Sequence, residues 1–146
     1  MKILAAFAAL AVALSGGQAA ELTWLTDLAQ AKAQAKAEHK LVLLNFTGSD
    51  WCPYCIKLDK QVLQSSDFAD YATTNLVLVL VDFPRSKPQP ESVKKANEAL
   101  LDKFDVTTYP TLVVLKDTGK KLGKIEGYDG SGPTRLLAKL EKWKTK

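Results

Sequence analysis

Asn45-Phe46-Thr47-Gly48-Ser49-Asp50-Trp51-Cys52-Pro53-Tyr54-Cys55 joins the end of an apolar run to a C-x-x-C, and these cysteines are the only two in the 146 residues. The run itself, Leu41 to Phe46, is short and almost continuous, the pattern of a strand covered on both faces. Thr47 to Asp50 is small and polar and reads as a turn. A helix then begins at the C-x-x-C, with Cys55, Leu58 and Val62 on its inner stripe. Cys52 therefore falls at the amino end of a helix, where free N–H groups and the positive end of the dipole favour an anion. The anion a cysteine supplies is a thiolate, the species that attacks disulfides. Pro53 suits the first helical position, and Cys55, one turn on, is close enough to close a disulfide with Cys52. Cys52 at the tip is expected to be the more exposed and to attack. Cys55, facing inward, is expected to resolve the mixed disulfide, while Trp51 and Tyr54 frame the thiol with apolar surface for a flexible substrate segment.

Other uses of two cysteines fit less well. A structural disulfide across so short a loop gains little. A zinc site needs about four ligands, and only His39 is available beside the cysteines. Two-coordinate Cu(I) binding suits soft sulfur and remains the alternative from another class, together with a partner-binding module whose redox chemistry is vestigial.

Outward from this stretch, the chain reads as one α/β domain. Thr23 to Glu38 has helical spacing, with Trp24, Leu28, Ala31 and Ala35 on one face. Ser66-Asp67 is expected to cap a further turn through Tyr71. Leu76 to Phe83 is a second buried strand. Pro84 to Pro90 excludes helix and central strand, because its prolines remove donors and fix the backbone. It reads either as a solvated connection or as a loop whose Arg85 and Lys87 select acidic or reduced partners. Glu91 to Phe104 is amphipathic, with Val93, Ala96, Leu100 and Phe104 inward. Strands follow at Thr111 to Lys116 and at Lys121 to Gly127, joined by a turn at Asp117 to Lys120. Pro133 opens a last helix that aligns Leu136, Leu140 and Trp143. The order predicts a four-stranded mixed central sheet flanked by helices, its first two strands parallel through helical crossovers and its last two antiparallel. In such a sheet the C-x-x-C, the proline-rich loop and Tyr109-Pro110-Thr111 converge on one edge.

The first residues have separate grammar. Lys2, an apolar run from Ile3 to Leu14, and small residues up to Ala20 match a secretory signal peptide, with cleavage expected after Ala19 and Ala20 as the alternative. The apolar run is too short to span a bilayer, so stable membrane insertion after its removal is not expected. Cleavage removes one lysine from a chain of formal charge +4. The remaining mild basicity, without a basic stripe bearing aromatics, argues against nucleic-acid binding. Lys139, Lys142, Lys144 and Lys146 instead read as favourable charges at the end of the last helix.

With Trp51-Cys52-Pro53-Tyr54-Cys55 after a strand and Tyr109-Pro110-Thr111-Leu112 before one, the chain resembles the thioredoxin-fold family over nearly all of residues 20–146. Its Gly-Ser-Asp-Trp-Cys wording is similar to a group of exported bacterial thioredoxin-like proteins. The resemblance implies a cis Tyr109–Pro110 bond, with Tyr109 and Pro110 offering a docking element to substrate beside Cys52. It also places Asn45 near the buried aspartate of thioredoxins, and an amide cannot accept a proton at neutral pH. The function it implies is an exported, periplasmic or secreted, thiol–disulfide oxidoreductase. Such an enzyme acts on protein thiols and disulfides with a redox partner, needs no cofactor or metal, and is expected to be monomeric.

Overall fold

The computed structural model describes residues 21–146, so the expected leader lies outside the described residues. The sheet has five strands rather than the expected four, ordered β1-β3-β2-β4-β5. These are β1 (Trp24–Leu25), β2 (Leu41–Thr47), β3 (Leu76–Asp82), β4 (Thr111–Leu115) and β5 (Lys121–Glu126). Parallel β2 and β3 pair in register from Leu41↔Leu76 to Thr47↔Asp82. Strand β4 runs antiparallel to β2, and β5 antiparallel to β4. The hairpin between the last two turns at Gly119, whose φ of +90° suits a residue without a Cβ.

The extra strand corrects the reading of Thr23 to Glu38 as one helix. Trp24 and Leu25 pair parallel with Leu78 and Val79 on the outer edge of β3. Helix α1 starts only at Leu28 and runs to Glu38, because the Asp27 side chain accepts from the Gln30 N–H at 2.8 Å and fixes the cap there. Trp24 had matched the helical spacing by coincidence with a two-residue strand.

Helices α2 (Pro53–Leu58), α3 (Ser66–Asn75), α4 (Glu91–Lys103) and α5 (Gly132–Lys144) complete the chain, with a π-helical turn at Asp59–Leu63 after α2. Helix α3 is capped by Ser65, whose hydroxyl accepts from the Phe68 N–H at 3.2 Å, and it runs past Tyr71 to Asn75. On α4 the inner stripe is shifted from the expected one: Ala96 is exposed and Asn97 is buried. The Asn97 amide donates to the Asp82 carbonyl at 2.9 Å, so a polar residue holds the end of β3 where an apolar one was expected.

Strand alternation sorts the core into two layers. Val42, Leu44 and Phe46 face one side with Val77, Val79, Val81, Val113 and Leu115, covered by Ala31, Ala35 and Phe104. Leu43, Leu78, Leu112 and Val114 face the other side, under Leu58, Val62, Phe68, Leu136 and Leu140. A fully buried aliphatic side chain contributes about 1.5–3 kcal/mol, so both layers are needed. This double coverage explains why β2 and β3 read as unbroken apolar runs. The second layer loses its apolar character toward the carboxyl end of β2, where Asn45 and Thr47 take the inner positions under α2.

Candidate active site

Cys52 caps α2 with an extended backbone (φ −88°, ψ 111°), and Pro53 opens the helix. Its Sγ accepts from the Cys55 N–H at 3.3 Å, while Cys55 Sγ accepts from the Gly48 N–H at 3.5 Å. The two sulfurs are joined as a disulfide, their Cα atoms 5.2 Å apart. The first turn of the helix thus offers the Cys55 N–H to the Cys52 sulfur, and the preceding turn offers the Gly48 N–H to Cys55, the local arrangement that stabilises a thiolate when the bond is reduced. The expected contrast in exposure is absent: Cys52 is 4% and Cys55 2% exposed. The closed bond draws both sulfurs onto the first helical turn. The asymmetry lies in their surroundings, since Cys55, but not Cys52, lines a cavity of ≈ 390 Å³ beneath α2.

The remaining expected site residues sit around this turn. Tyr54 is 60% exposed, the one exposed large hydrophobic side chain among the described residues. Trp51 is half-buried and packs edge-on against Tyr109, with ring centroids 5.9 Å apart. Tyr109 in turn lies 5.4 Å from the Phe83 ring, and burial pushes its hydroxyl pKa up. The Tyr109–Pro110 bond is cis. Pro110 is buried, and its carbonyl accepts from the Gly127 N–H at 2.8 Å. Three segments distant in sequence therefore meet at Trp51, as strand direction requires.

The sequence reading did not anticipate how the proline-rich loop is held. The Asp50 carboxylate accepts from the backbone N–H groups of Arg85 and Ser86, at 3.0 and 2.7 Å. Those two donors, Arg85 first, hold the Asp50 carboxyl below its usual range. The Trp51 indole N–H donates to the Phe83 carbonyl at 2.8 Å, and the Arg85 guanidinium lies 3.7 Å above the Trp51 ring. Ser49 donates both its N–H and its hydroxyl to the Asp82 carboxylate, at 3.0 and 2.6 Å. The available signal was an acid directly before Trp51 and another at the end of β3, with a loop too long to be a bare connection.

No group of three or more His, Cys, Asp or Glu residues suited to a metal is present among the described residues. A groove of ≈ 300 Å³ between β5 and α5, lined by Tyr128, Arg135 and Leu136, includes neither cysteine. What the Cys52–Cys55 turn can do chemically is exchange two electrons between its dithiol and disulfide forms.

The comparisons bear on this arrangement directly. Residues 28–144 match the model of a thioredoxin-like domain. The disulfide bond reductase DsbH of Chlamydia pneumoniae is 40% identical over 123 residues, covering 84% of this chain and 73% of that protein. The thioredoxin-related protein DsbJ of the same organism is 29% identical over 115 residues, which span only 33% of its length. Among solved structures, a DsbH oxidoreductase superposes with a TM-score of 0.79 at 37% identity, covering 86% of each chain. A thioredoxin from Thermus thermophilus, at 20% identity, covers 83% of this chain and 85% of its own with a TM-score of 0.61, and shares the fold. A C-x-x-C disulfide opening α2, a cis proline leading β4 and a domain match over most of the chain agree: this protein belongs to the thioredoxin-like family.

Proposed function

We propose that this chain is a thiol–disulfide oxidoreductase that reduces protein disulfides outside the cytoplasm, with Cys52 as nucleophile and Cys55 as resolving thiol. The observation that carries the reading is the placement of the cysteine pair, closed as a disulfide on the first turn of α2 with Cys52 as its cap. In the reductive direction Cys52 thiolate attacks one sulfur of a substrate disulfide, forming a mixed disulfide and expelling one substrate thiolate. Cys55, after losing its proton, attacks Cys52 Sγ; the second substrate thiolate leaves and the Cys52–Cys55 disulfide closes. Two electrons pass to the substrate, the two departing thiolates take up protons, and a separate dithiol partner must restore the reduced form. Tyr54, Trp51, Tyr109 and Pro110 form the surface on which the substrate segment rests. The reductive direction is favoured by the similarity to a protein named a disulfide bond reductase. The location rests on the leader-like residues 1–19, whose removal leaves a domain over residues 20–146; no helix among the described residues is long and apolar enough to cross a membrane.

Turbidimetric reduction of insulin by dithiothreitol tests the chemistry. Wild type accelerates precipitation, Cys52→Ser abolishes the acceleration, and Cys55→Ser accumulates a mixed disulfide isolable by mass spectrometry. Acceleration by Cys52→Ser equal to that of wild type sinks the assignment. Equilibration with glutathione fixes the direction: a potential near −270 mV fits a reductant and one near −120 mV an oxidant.

A further inference from the structure

Cys55 must lose its proton before it can attack Cys52, and its surroundings oppose this, since burial disfavours a thiolate. Its N–H···S contact with Gly48 is long, at 3.5 Å. The cavity that Cys55 lines is bounded by Asn45, Thr47, Ser49, Asp59 and Lys60, with Trp24 and Leu80 closing its apolar side. Two of these residues differ from ordinary lining. Asn45 is 5% exposed, and its Oδ1 has no hydrogen-bond partner among the described residues, so a donor is required in the cavity. Asp59 stands one helical turn below Cys55, its N–H donating to the Cys55 carbonyl. Residues so spaced share a face.

The π-helical turn fixes this placement. Its i,i+5 bond runs from the Gln64 N–H to the Asp59 carbonyl at 2.9 Å, and the Gln64 side-chain amide donates to Asp59 Oδ2 at 2.5 Å. One carboxylate oxygen is thereby anchored, and Oδ1 carries no hydrogen bond from the described residues. The other charged group lining this cavity is Lys60, from the same turn. Asp82 of β3 lies behind Ser49, which donates to both of its carboxylate oxygens.

We propose that Asp59 receives the Cys55 proton through water in this cavity, with Asn45 Oδ1 orienting that water. A water of this kind needs two to four polar partners, and Asn45, Asp59 and the Cys55 thiol supply them. In the step, the S–H bond of Cys55 breaks and its proton passes by way of water to the carboxylate. The thiolate electron pair forms the bond to Cys52 Sγ as the bond from Cys52 Sγ to the substrate sulfur breaks, and the substrate thiolate leaves with that bond's electron pair. Asp59 then releases the proton to solvent through the open side of the cavity. Asp59 is thus a positioning residue for the second half of the exchange, and the proposal rests on the reading of Cys55 as resolving thiol.

Rapid mixing of reduced protein with 5,5′-dithiobis(2-nitrobenzoate) separates the two halves, because attack by Cys52 releases one coloured thiolate and attack by Cys55 releases the second. The second phase of Asp59→Asn at pH 7 is expected to slow about 100-fold, the lower end for a positioned proton acceptor. The first phase keeps its wild-type rate. The deficit should shrink as pH rises beyond the ordinary thiol range of about 8.5, since hydroxide then removes the proton without a carboxylate. Asp59→Glu should restore most of the rate, as should Asn45→Asp in the Asp59→Asn background. A second phase matching wild type at every pH overturns the proposal. So does an equal slowing at all pH values without rescue, which would mark Asp59 as structural. Failure of wild type to give any second phase would instead sink the assignment of Cys55.

Discussion

Trp51 is the residue on which the site is assembled, since its indole touches Tyr109, Arg85 and the Phe83 carbonyl at once. Gly48 makes this possible: a Cβ there would overlap the Trp51 ring system. The ring cannot retreat without breaking the 2.8 Å bond to Phe83 or lifting away from Tyr109. Gly48→Ala is therefore expected to cost about 1–3 kcal/mol by overpacking. The Trp51 indole N–H resonance should shift away from its hydrogen-bonded position. Urea unfolding and a nitrogen–proton spectrum check both, and an unmoved resonance at unchanged stability would show that the ring is free to give way. At this scale the cysteines, Trp51 and the Tyr109-Pro110 pair were legible in the sequence, because each is a rare residue type in a motif of fixed spacing. The Asn45 environment was legible only in part. Its amide could be read, but the partner lining its cavity, Asp59, lies fourteen positions on and is brought near by a helix that changes its hydrogen-bonding period.

Among the elements, the connection from Pro84 to Pro90 departs most from its sequence pattern. Composition made it look like a solvated link; its anchor, Asp50, lies on the far side of α2, α3 and β3 in the chain, and nothing local announces the pairing. Arg85 and Ser86 donate to Asp50, so the loop and the active-site turn are one mechanical unit. The sign of the pH effect follows. The Asp50 carboxyl is held below its ordinary folded-free value of 3.8, so the strap is fully present above that pH and is lost as pH falls through the lowered value. The Asp50 carboxyl resonance should therefore titrate with a midpoint below 3.8. At pH 6, Asp50→Ala should speed amide exchange at Arg85 and Ser86 while β2 amides keep their protection. Unchanged exchange at those two amides would mean that the loop is held by other contacts. The same blindness to distant partners explains α4. Ala96 fits the apolar period better than Asn97, but the Asp82 carbonyl at the end of β3 needs a donor, and that need is tertiary.

For the whole molecule, the layer order was legible because apolar runs, turn residues and the helical crossovers they imply leave few topologies open. The fifth strand was not, since two residues carry no periodicity and their partner, the outer edge of β3, is set by the fold. The sheet between the two apolar layers has a measurable consequence. Leu44 is fully buried on the α1 face and Leu140 on the α5 face, in separate clusters. Leu44→Ala and Leu140→Ala should each cost about 2–5 kcal/mol, a large share of a domain's 5–15 kcal/mol. Because β2 and its neighbours stand between them, neither cavity can relax into the other. The two losses should then add to within about 0.5 kcal/mol in a double-mutant cycle, measured with trimethylamine N-oxide to keep the double variant folded. A coupling well above that value would show that the sheet itself shifts when one layer is hollowed. In that event damage to either layer would reach the carboxyl end of β2, where Asn45 and the cysteine turn are held, and disulfide exchange should fall in step with stability rather than remain at its wild-type rate.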